Sequence, residues 1–175
     1  MPSIDKPFFF HAEYRAAFLA SMAGRLKDVI SDEAGNMLKE KGLSTPATDV
    51  SFILYLSEHN NATIADIAKA QGFSHQRVAS RIAQLEKRAL LVRQIDEQDQ
   101  RCKVVTLTEK GRQEASELAV IYHNAAKAIE QVFDEIGDDL MDKLQVAISA
   151  FSKESLPARI AKIQNAPPKL ARTLS

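Results

Sequence analysis

The sequence has little of what builds disulfide-bonded or membrane-spanning proteins. It contains one cysteine and no tryptophan among its 175 residues, which excludes a disulfide framework and any metal site built mainly on thiolates. No apolar run approaches the roughly 18 residues that a transmembrane helix needs. The three phenylalanines at positions 8–10 are too few for the apolar core of a signal peptide. We therefore expect a protein of the reducing cytoplasm.

Motifs of catalysis and metal binding are missing as well. The sequence has no glycine-rich phosphate loop, and no Ser/His/Asp arrangement or carboxylate pair stands out above chance. The histidines form neither an HExxH motif nor a Cys/His cluster. They are His11, His59, His75 and His123. We therefore expect that the protein is not an enzyme and binds neither a metal nor a cofactor. The side chains of His11 and His123 are expected to pack against other residues or to face solvent; the alternative is that they line a ligand cavity.

Glycine and proline are scarce, at six residues each, whereas 45% of the residues are hydrophobic. A chain of this length and apolar content can bury a sizeable core. We therefore predict one compact domain, or one domain with an appended layer.

The net charge of zero, from 23 Lys and Arg against 23 Asp and Glu, argues at first against a nucleic-acid partner. The charges are segregated, however. Residues 1–73 carry 7 basic and 9 acidic side chains (−2), residues 74–113 carry 9 and 5 (+4), and residues 114–175 carry 7 and 9 (−2). A basic middle between acidic ends indicates an element that faces a polyanion, although an excess of four charges can also arise by chance.

Apolar periodicity predicts helices over most of the chain. In the first third, apolar residues recur at steps of four, at Tyr14, Phe18, Met22, Leu26 and Ile30. Gly35 and Gly42 are expected to delimit a shorter helical piece. Thr45 is then expected to be the N-cap, and Pro46 the first residue, of a dense apolar helix. After the hairpin described below, Thr108 is expected to cap a long helix.

The segment IADIAKAQGFSHQRVASRIAQLEKRALL has the spacing of a helix-turn-helix. Thr63 and Asp66 form a capping-box pair that opens its first helix, Gly72 tolerates the positive φ of the turn, and Ser74 caps the second helix. The helices meet at Ala68, with Ile67 and Val78 holding their angle.

The second helix has one polar face without acidic residues. Val78, Ile82, Leu85 and Ala89 form its apolar stripe. The opposite side, called here the polar face, consists of Ser74, His75, Gln76, Arg77, Ser80, Arg81 and Gln84. Arginine and glutamine can pair with base edges when a helix lies in the major groove of DNA. The alternative is an ordinary solvated surface, but such surfaces usually include Glu and Asp.

Residues 90–107 lack a helical stripe and contain two β-rich runs, Leu90 to Ile95 and Arg101 to Leu107. We predict a hairpin, the only plausible sheet of the chain, which serves as a wing. Arg101 and Lys103 lie at its tip, where arginine can enter a narrow minor groove. Asp99 could hold Arg101 extended; a surface salt bridge of little energetic consequence is the alternative.

The segment LEKRALLVRQIDEQDQRCKVVTLTEKGR resembles the winged helix of the MarR family of bacterial transcription regulators. That family has Leu-Glu-Lys-x-Gly-Leu, then Arg-x-x-Asp-x-x-Asp-x-Arg through the wing, then Leu-Thr-x-x-Gly. The matching residues are Leu85, Glu86, Lys87, Arg93, Asp96, Asp99, Arg101, Leu107, Thr108 and Gly111. Four positions depart from the family pattern, namely Gln71, Ser80, Ala89 and Gln100. From these departures we expect the recognised DNA sequence to differ from that of better-known members of the family.

The resemblance implies a mainly α fold: a winged helix-turn-helix with a small β-hairpin wing and N- and C-terminal dimerisation helices. The expected division is residues 1–45 for N-terminal dimerisation helices, 46–113 for the DNA-binding domain, 114–163 for C-terminal dimerisation helices and 164–175 for a flexible tail. DNA contacts are expected from the polar face, Arg101 and Lys103, and wing support from Arg93, Asp96 and Asp99.

The implied function is that of a ligand-responsive repressor that binds a pseudo-palindromic operator as a homodimer. Its expected partners are double-stranded DNA, a second copy of the chain and a small-molecule effector, with no membrane. The alternative is a dimeric winged-helix module that binds another protein instead of DNA. A weaker third hypothesis is a redox switch through Cys102, which alternation places on one strand face with Val104 and Thr106.

Overall fold

The computed structural model describes residues 13–95 and 102–165. The chain forms two compact units, one up to Tyr122 and one from His123 onward. Several residues singled out above lie outside the described ranges: the phenylalanines at 8–10, His11, Asp96, Asp99, Gln100, Arg101 and the expected tail from position 166. The predicted domain boundaries stay a prediction. Within the described ranges, no helix has both the length and the apolar character needed to cross a membrane.

The mainly helical, winged fold predicted from the sequence is confirmed. In chain order the elements are α1 (Leu19–Glu40), α2 (Val50–Glu58), β1 (Ala62–Thr63), α3 (Ile64–Gln71), α4 (His75–Lys87), β2 (Leu91–Ile95), β3 (Lys103–Leu107), α5 (Glu109–Ile136), α6 (Leu140–Lys153) and α7 (Leu156–Asn165). Short 3-10 turns precede α1 and α2, at Arg15–Phe18 and Ala47–Asp49.

The predicted hairpin is present and belongs to a three-stranded antiparallel sheet in the order β1-β3-β2. Leu91 lies opposite Leu107 and Ile95 lies opposite Lys103. On the other edge of β3, Ala62 of β1 lies opposite Val105. The sequence did not predict β1, because a strand of two residues is too short to show an alternating pattern.

The core of the first unit lies between α2, α3, α4, the sheet and the first turns of α5. The largest side chains in it with less than 2% exposure are Phe52, Leu38, Ile53, Leu56, Ile67, Ile82, Leu85, Leu90, Leu118, Val50, Val78 and Val104. The apolar stripe of α4 is therefore confirmed at Val78, Ile82 and Leu85. Because this stripe is buried, the opposite side of α4 faces outward.

Two local predictions are wrong. Gly35 lies inside the continuous helix α1 rather than at its end; an isolated helical glycine costs only about 1 kcal/mol, which a long helix tolerates. Thr45 is not an N-cap: its hydroxyl donates to Glu114, and Pro46 precedes the short 3-10 turn instead. Pro157 lies in the first turn of α7, where a missing N–H is harmless.

Helix α4 ends at a left-handed residue that is not glycine. Ala89, expected in the apolar stripe, lies beyond the helix with φ of +57°. The N–H of Ala89 donates to Glu86 at 2.8 Å and that of Leu90 to Leu85 at 3.1 Å, the bonding pattern of a Schellman motif. Glycine is the residue that usually occupies this position, because a side chain is strained there.

Replacing Ala89 by glycine is therefore expected to stabilise the protein by about 0.5–1 kcal/mol. Relief of the left-handed strain exceeds the extra freedom that glycine gives the unfolded chain. The measurement is urea unfolding at fixed protein concentration, with Ala83→Gly inside α4 as the control, for which a loss of about 1 kcal/mol is expected. A loss of stability in Ala89→Gly would contradict the strain argument.

The second unit leaves much apolar surface uncovered. Asp139 caps α6, its Oδ1 accepting from the N–H groups of Met141 and Asp142 at 2.8 and 3.1 Å. Neither α6 nor α7 has a buried residue. Their exposed large apolar side chains are Met141, Leu144, Val146, Ile148, Phe151, Leu156, Ile160 and Ile163. Leu144, Ile148 and Phe151, which lie in the range predicted for the C-terminal dimerisation helices, are therefore accessible in the single chain.

Candidate nucleic-acid interface

The helix-turn-helix forms as its local signals predict. Thr63 and Asp66 make the full capping box at the start of α3. Gly72 ends α3 with φ of +64°, and Ser74 caps α4 by accepting from the N–H of Arg77 at 3.3 Å. Ile67, Ala68 and Val78, which were expected to hold the two helices together, are all buried. The orientation of α4 is thus set by its own sequence and by this contact.

The polar face lies on one exposed side of α4. Six of its seven residues line a single shallow groove: Ser74, Gln76, Arg77, Ser80, Arg81 and Gln84. The seventh, His75, is the exposed first residue of the helix. None of the seven carries a negative charge, so a polyanion can approach the groove without meeting an acidic residue of this face.

Arg77 is held by an aromatic ring from the turn. Its guanidinium lies over the ring of Phe73, 4.2 Å from the centroid, which is a favourable cation–π distance. Phe73 in turn stacks on the buried Phe52, with centroids 6.2 Å apart. Arg77 is thereby attached to the core at the N-terminal end of α4.

Arg81 is held by a carboxylate that sequence patterns did not single out. Its Nη1 lies 3.2 Å from Oδ1 of Asp49, whose side chain is fully buried. Burial raises the pKa of Asp49, against the opposing charge of Arg81 and a weak hydrogen bond from Thr48. In the sequence, Asp49 stands directly before the apolar run of α2. An acidic residue at a position that the neighbouring apolar residues mark as buried is the signal that could have identified it.

The wing is tied to α4 through Arg93. Its Nη2 lies 3.2 Å from Oε2 of Glu86 and 3.4 Å from the carbonyl oxygen of Ala79, both in α4. Lys103 is exposed at the start of β3. Of the wing residues expected to contact DNA or support the tip, Asp96, Asp99 and Arg101 lie outside the described ranges. Arg93 therefore links the hairpin to α4.

A buried carboxylate fixes the loop before α2. Each oxygen of Glu114 accepts from one backbone N–H and one hydroxyl, at 3.1 and 2.6 Å from Ser44 and at 2.9 and 2.6 Å from Thr45. Burial by itself would raise the pKa of Glu114, but the hydrogen bonds from Ser44 and Thr45 outweigh it and the pKa is lowered. The loop that leads to Asp49 is thus anchored to α5.

Metal binding and a redox switch are the other candidate chemistries, and the redox hypothesis for Cys102 stays a prediction. Residues 13–95 and 102–165 contain no group of three or more His, Cys, Asp or Glu placed to hold a metal ion. Cys102 is partly buried, directly before β3. The exposed side of α4 presents hydrogen-bond donors from arginine guanidinium groups and glutamine amides.

Comparison with known proteins points to the same part of the chain. Residues 41–101 match the model of the MarR family. No curated protein was found to match the sequence.

Solved structures share the fold. That of S. aureus MepR in complex with DNA is 21% identical, with a TM-score of 0.63 over 75% of this chain and 96% of MepR. The transcriptional repressor CouR, bound to a 23-mer DNA duplex, is 18% identical, with a TM-score of 0.58 over 80% and 96%. BldR from Sulfolobus solfataricus is 19% identical, with a TM-score of 0.55 over 80% and 96%. At these identities the likeness concerns the fold.

Proposed function

We propose that this chain, whose residues 41–101 match the model of the MarR family, is a transcriptional regulator that binds double-stranded DNA in a sequence-specific way. The observation that carries the proposal is the polar face of α4. It is exposed, lines one groove and lacks acidic residues. A helix of this kind fits the major groove, where arginine can pair with guanine and glutamine with adenine.

The residues proposed to contact DNA divide into two groups. Ser74, His75, Gln76, Arg77, Ser80, Arg81 and Gln84 would contact base edges and phosphates from α4. Arg101 and Lys103 would do so from the wing, supported by Arg93, Asp96 and Asp99. The contact between Arg93 and Glu86 supports a wing that keeps its position relative to α4. Because the net charge of the chain is zero, bulk charge contributes little to DNA binding. We propose that specificity comes from the fixed arrangement of α4 and the wing.

The protein is proposed to act as a homodimer on a pseudo-palindromic operator. Large apolar side chains are exposed on α6 and α7 of the second unit, and those of Leu19, Leu26, Val29 and Ile30 are exposed on α1 of the first unit. Exposed apolar surface of this kind is typical of protein–protein interfaces. A two-fold dimer places two α4 helices against half-sites about one helical turn apart. The basic segment 74–113 then occurs twice, so that its excess of +4 per chain becomes +8 (twice +4) on the DNA-facing side.

Repression with release by a small-molecule effector is the proposed regulatory role. An effector that favours a different spacing of the two α4 helices would shift the population away from the DNA-binding conformation. CouR, which shares the fold, is a transcriptional repressor that was solved bound to DNA. No catalytic step is proposed.

Replacing Arg77 by alanine tests the assignment of α4. The probe is the duplex that the wild-type protein enriches from a randomised library. We expect Arg77→Ala to weaken binding by about tenfold to a hundredfold and to relax the base preference at one position of each half-site, because one bidentate pair is worth about 1–3 kcal/mol. Fluorescence anisotropy with the selected duplex and its single-base variants is the measurement.

Lys127→Ala is the matched control, since it removes the same charge from an exposed position of the second unit. We expect it to leave both affinity and base preference within about twofold of wild type. If Arg77→Ala behaves like Lys127→Ala, Arg77 does not contact the bases. If the wild type enriches no duplex at all, the proposed function is refuted in favour of the alternative, a winged-helix module that binds another protein.

A further inference from the structure

We propose that Asp49 is a positioning residue for DNA recognition, which holds Arg81 of α4 in the orientation that contacts the operator. The inference rests on the proposed function and adds a residue that itself lies out of reach of DNA. Its basis is the ion pair between an entirely buried carboxylate and a partly exposed guanidinium, 3.2 Å apart, with side-chain exposures of 0% and 32%.

The carboxylate of Asp49 has few other partners. Its Oδ1 faces Arg81 and, at 3.4 Å, the hydroxyl of Thr48. Its Oδ2 is buried and has no hydrogen-bond partner among the described residues. The charge of Arg88 also acts on it from a greater distance, but the Nη1 of Arg88 donates to the carbonyl oxygen of Ser44 at 3.0 Å. Arg81 is therefore the main group that compensates the buried charge.

This dependence restricts Arg81. If its side chain turned away, a buried carboxylate would lose its nearest counterion, which is strongly unfavourable. Arg81 nevertheless lines the groove of the polar face together with Gln84 and Ser80. A guanidinium has five N–H donors in a rigid planar fork, so the donors not directed at Asp49 remain available for a phosphate or a base edge. The side chain of Arg81 is already ordered before DNA binds, so binding costs less side-chain entropy than it would for a freely rotating arginine.

The anchoring of Asp49 makes it a stable support. The 3-10 turn Ala47–Asp49 leads directly into α2, whose first residue, Val50, is buried. The loop before the turn is clamped by the four hydrogen bonds to Glu114. Movement of Asp49 would therefore require movement of the core, and α4 is connected to that core by the ion pair.

The test is a double-mutant cycle of Asp49→Asn and Arg81→Ala, measured as affinity for the duplex that the wild type selects. Asparagine keeps the size of the aspartate and removes its charge. We expect Asp49→Asn to weaken binding by about tenfold, equal to about 1.4 kcal/mol, in the wild-type background. In the Arg81→Ala background it should change affinity by less than about twofold, because the residue it positions is gone. Equal effects in both backgrounds would overturn the proposal.

Arg81→Lys keeps the buried charge compensated and serves as the second variant if Arg81→Ala fails to fold. The selected duplex is then scanned position by position, with base substitutions and with neutralised phosphates. Asp49→Asn and Arg81→Lys should lose base discrimination, or the dependence on a phosphate charge, at the same positions. A uniform loss across all positions, accompanied by a lowered unfolding midpoint, would assign Asp49 a merely structural role and overturn the proposal. Failure of the wild type to select any duplex would instead refute the proposed function.

Discussion

Replacing Glu114 by alanine is expected to lower the free energy of unfolding by about 3–5 kcal/mol, because it removes the one partner of several polar groups at once. The carboxylate accepts four hydrogen bonds from Ser44 and Thr45 and is only 6% exposed. Alanine would leave the backbone N–H groups and the hydroxyls of Ser44 and Thr45 without this partner. The two groups of Thr45 are buried. Urea unfolding at fixed protein concentration measures the loss.

Glu117→Ala is the matched control for Glu114→Ala, since Glu117 is an exposed glutamate of the same helix. We expect its effect to remain within about 0.5 kcal/mol. Comparable losses in the two variants would show that the clamp on residues 44 and 45 does not contribute to stability.

The contribution of Glu114 should also depend on pH. Its pKa in the folded protein is lowered from an ordinary value of 4.5, so the folded state favours the ionised form. The resulting stabilisation is fully present above the unfolded pKa and is lost as pH falls through the folded pKa. The stability difference between wild type and Glu114→Ala should therefore narrow progressively below about pH 4.5. A difference that widens with acid would contradict the assignment.

Replacing Gly111 by alanine is expected to cost about 3 kcal/mol, although alanine is the better helix former. Gly111 lies in the first turn of α5, and an added Cβ would overlap the carbonyl oxygen of Leu90 and lie 3.2 Å from Cδ2 of Leu107. The carbonyl cannot retreat freely, because it accepts from the N–H of Thr108 at 3.0 Å. The wing and the start of α5 would have to separate.

Gly35→Ala is the control for this substitution. Gly35 is also helical, but nothing lies within 4 Å of an added Cβ, so a gain of about 0.5–1 kcal/mol is expected. Thermal or urea unfolding of the two variants should thus move in opposite directions. If both variants are stabilised, the close approach of Leu90 to α5 is not a feature of the folded protein.

Features held by short-range bonds could be predicted from the sequence. The capping box of Thr63 and Asp66, the left-handed Gly72 and the cap at Ser74 each depend on residues within four positions of one another. The apolar stripe of α4 also follows from periodicity alone. Together these signals were sufficient to place the polar face on the outside of α4, which is the main part of the candidate interface.

Features held by contacts between distant segments could not be predicted. Thr45 has the composition and position of an N-cap, but a bond to Glu114, 69 residues away, takes its hydroxyl. Asp49 and Arg81 are likewise brought together only by the packing of α2 against the helix-turn-helix. A sequence pattern reports the polarity of such residues but not their partners, so Arg81 was assigned to DNA contact alone.

Recognition of DNA by the polar face is the central claim, and the salt dependence of binding tests it most directly. The binding constant of the full chain should be measured for its selected duplex and for a shuffled duplex over a series of salt concentrations. We expect log K to fall linearly with log salt, with a slope of about −4 or steeper from released counterions, and the selected duplex to bind at least about a thousandfold more tightly at moderate salt. A flat salt response with equal binding of both duplexes would contradict the claim.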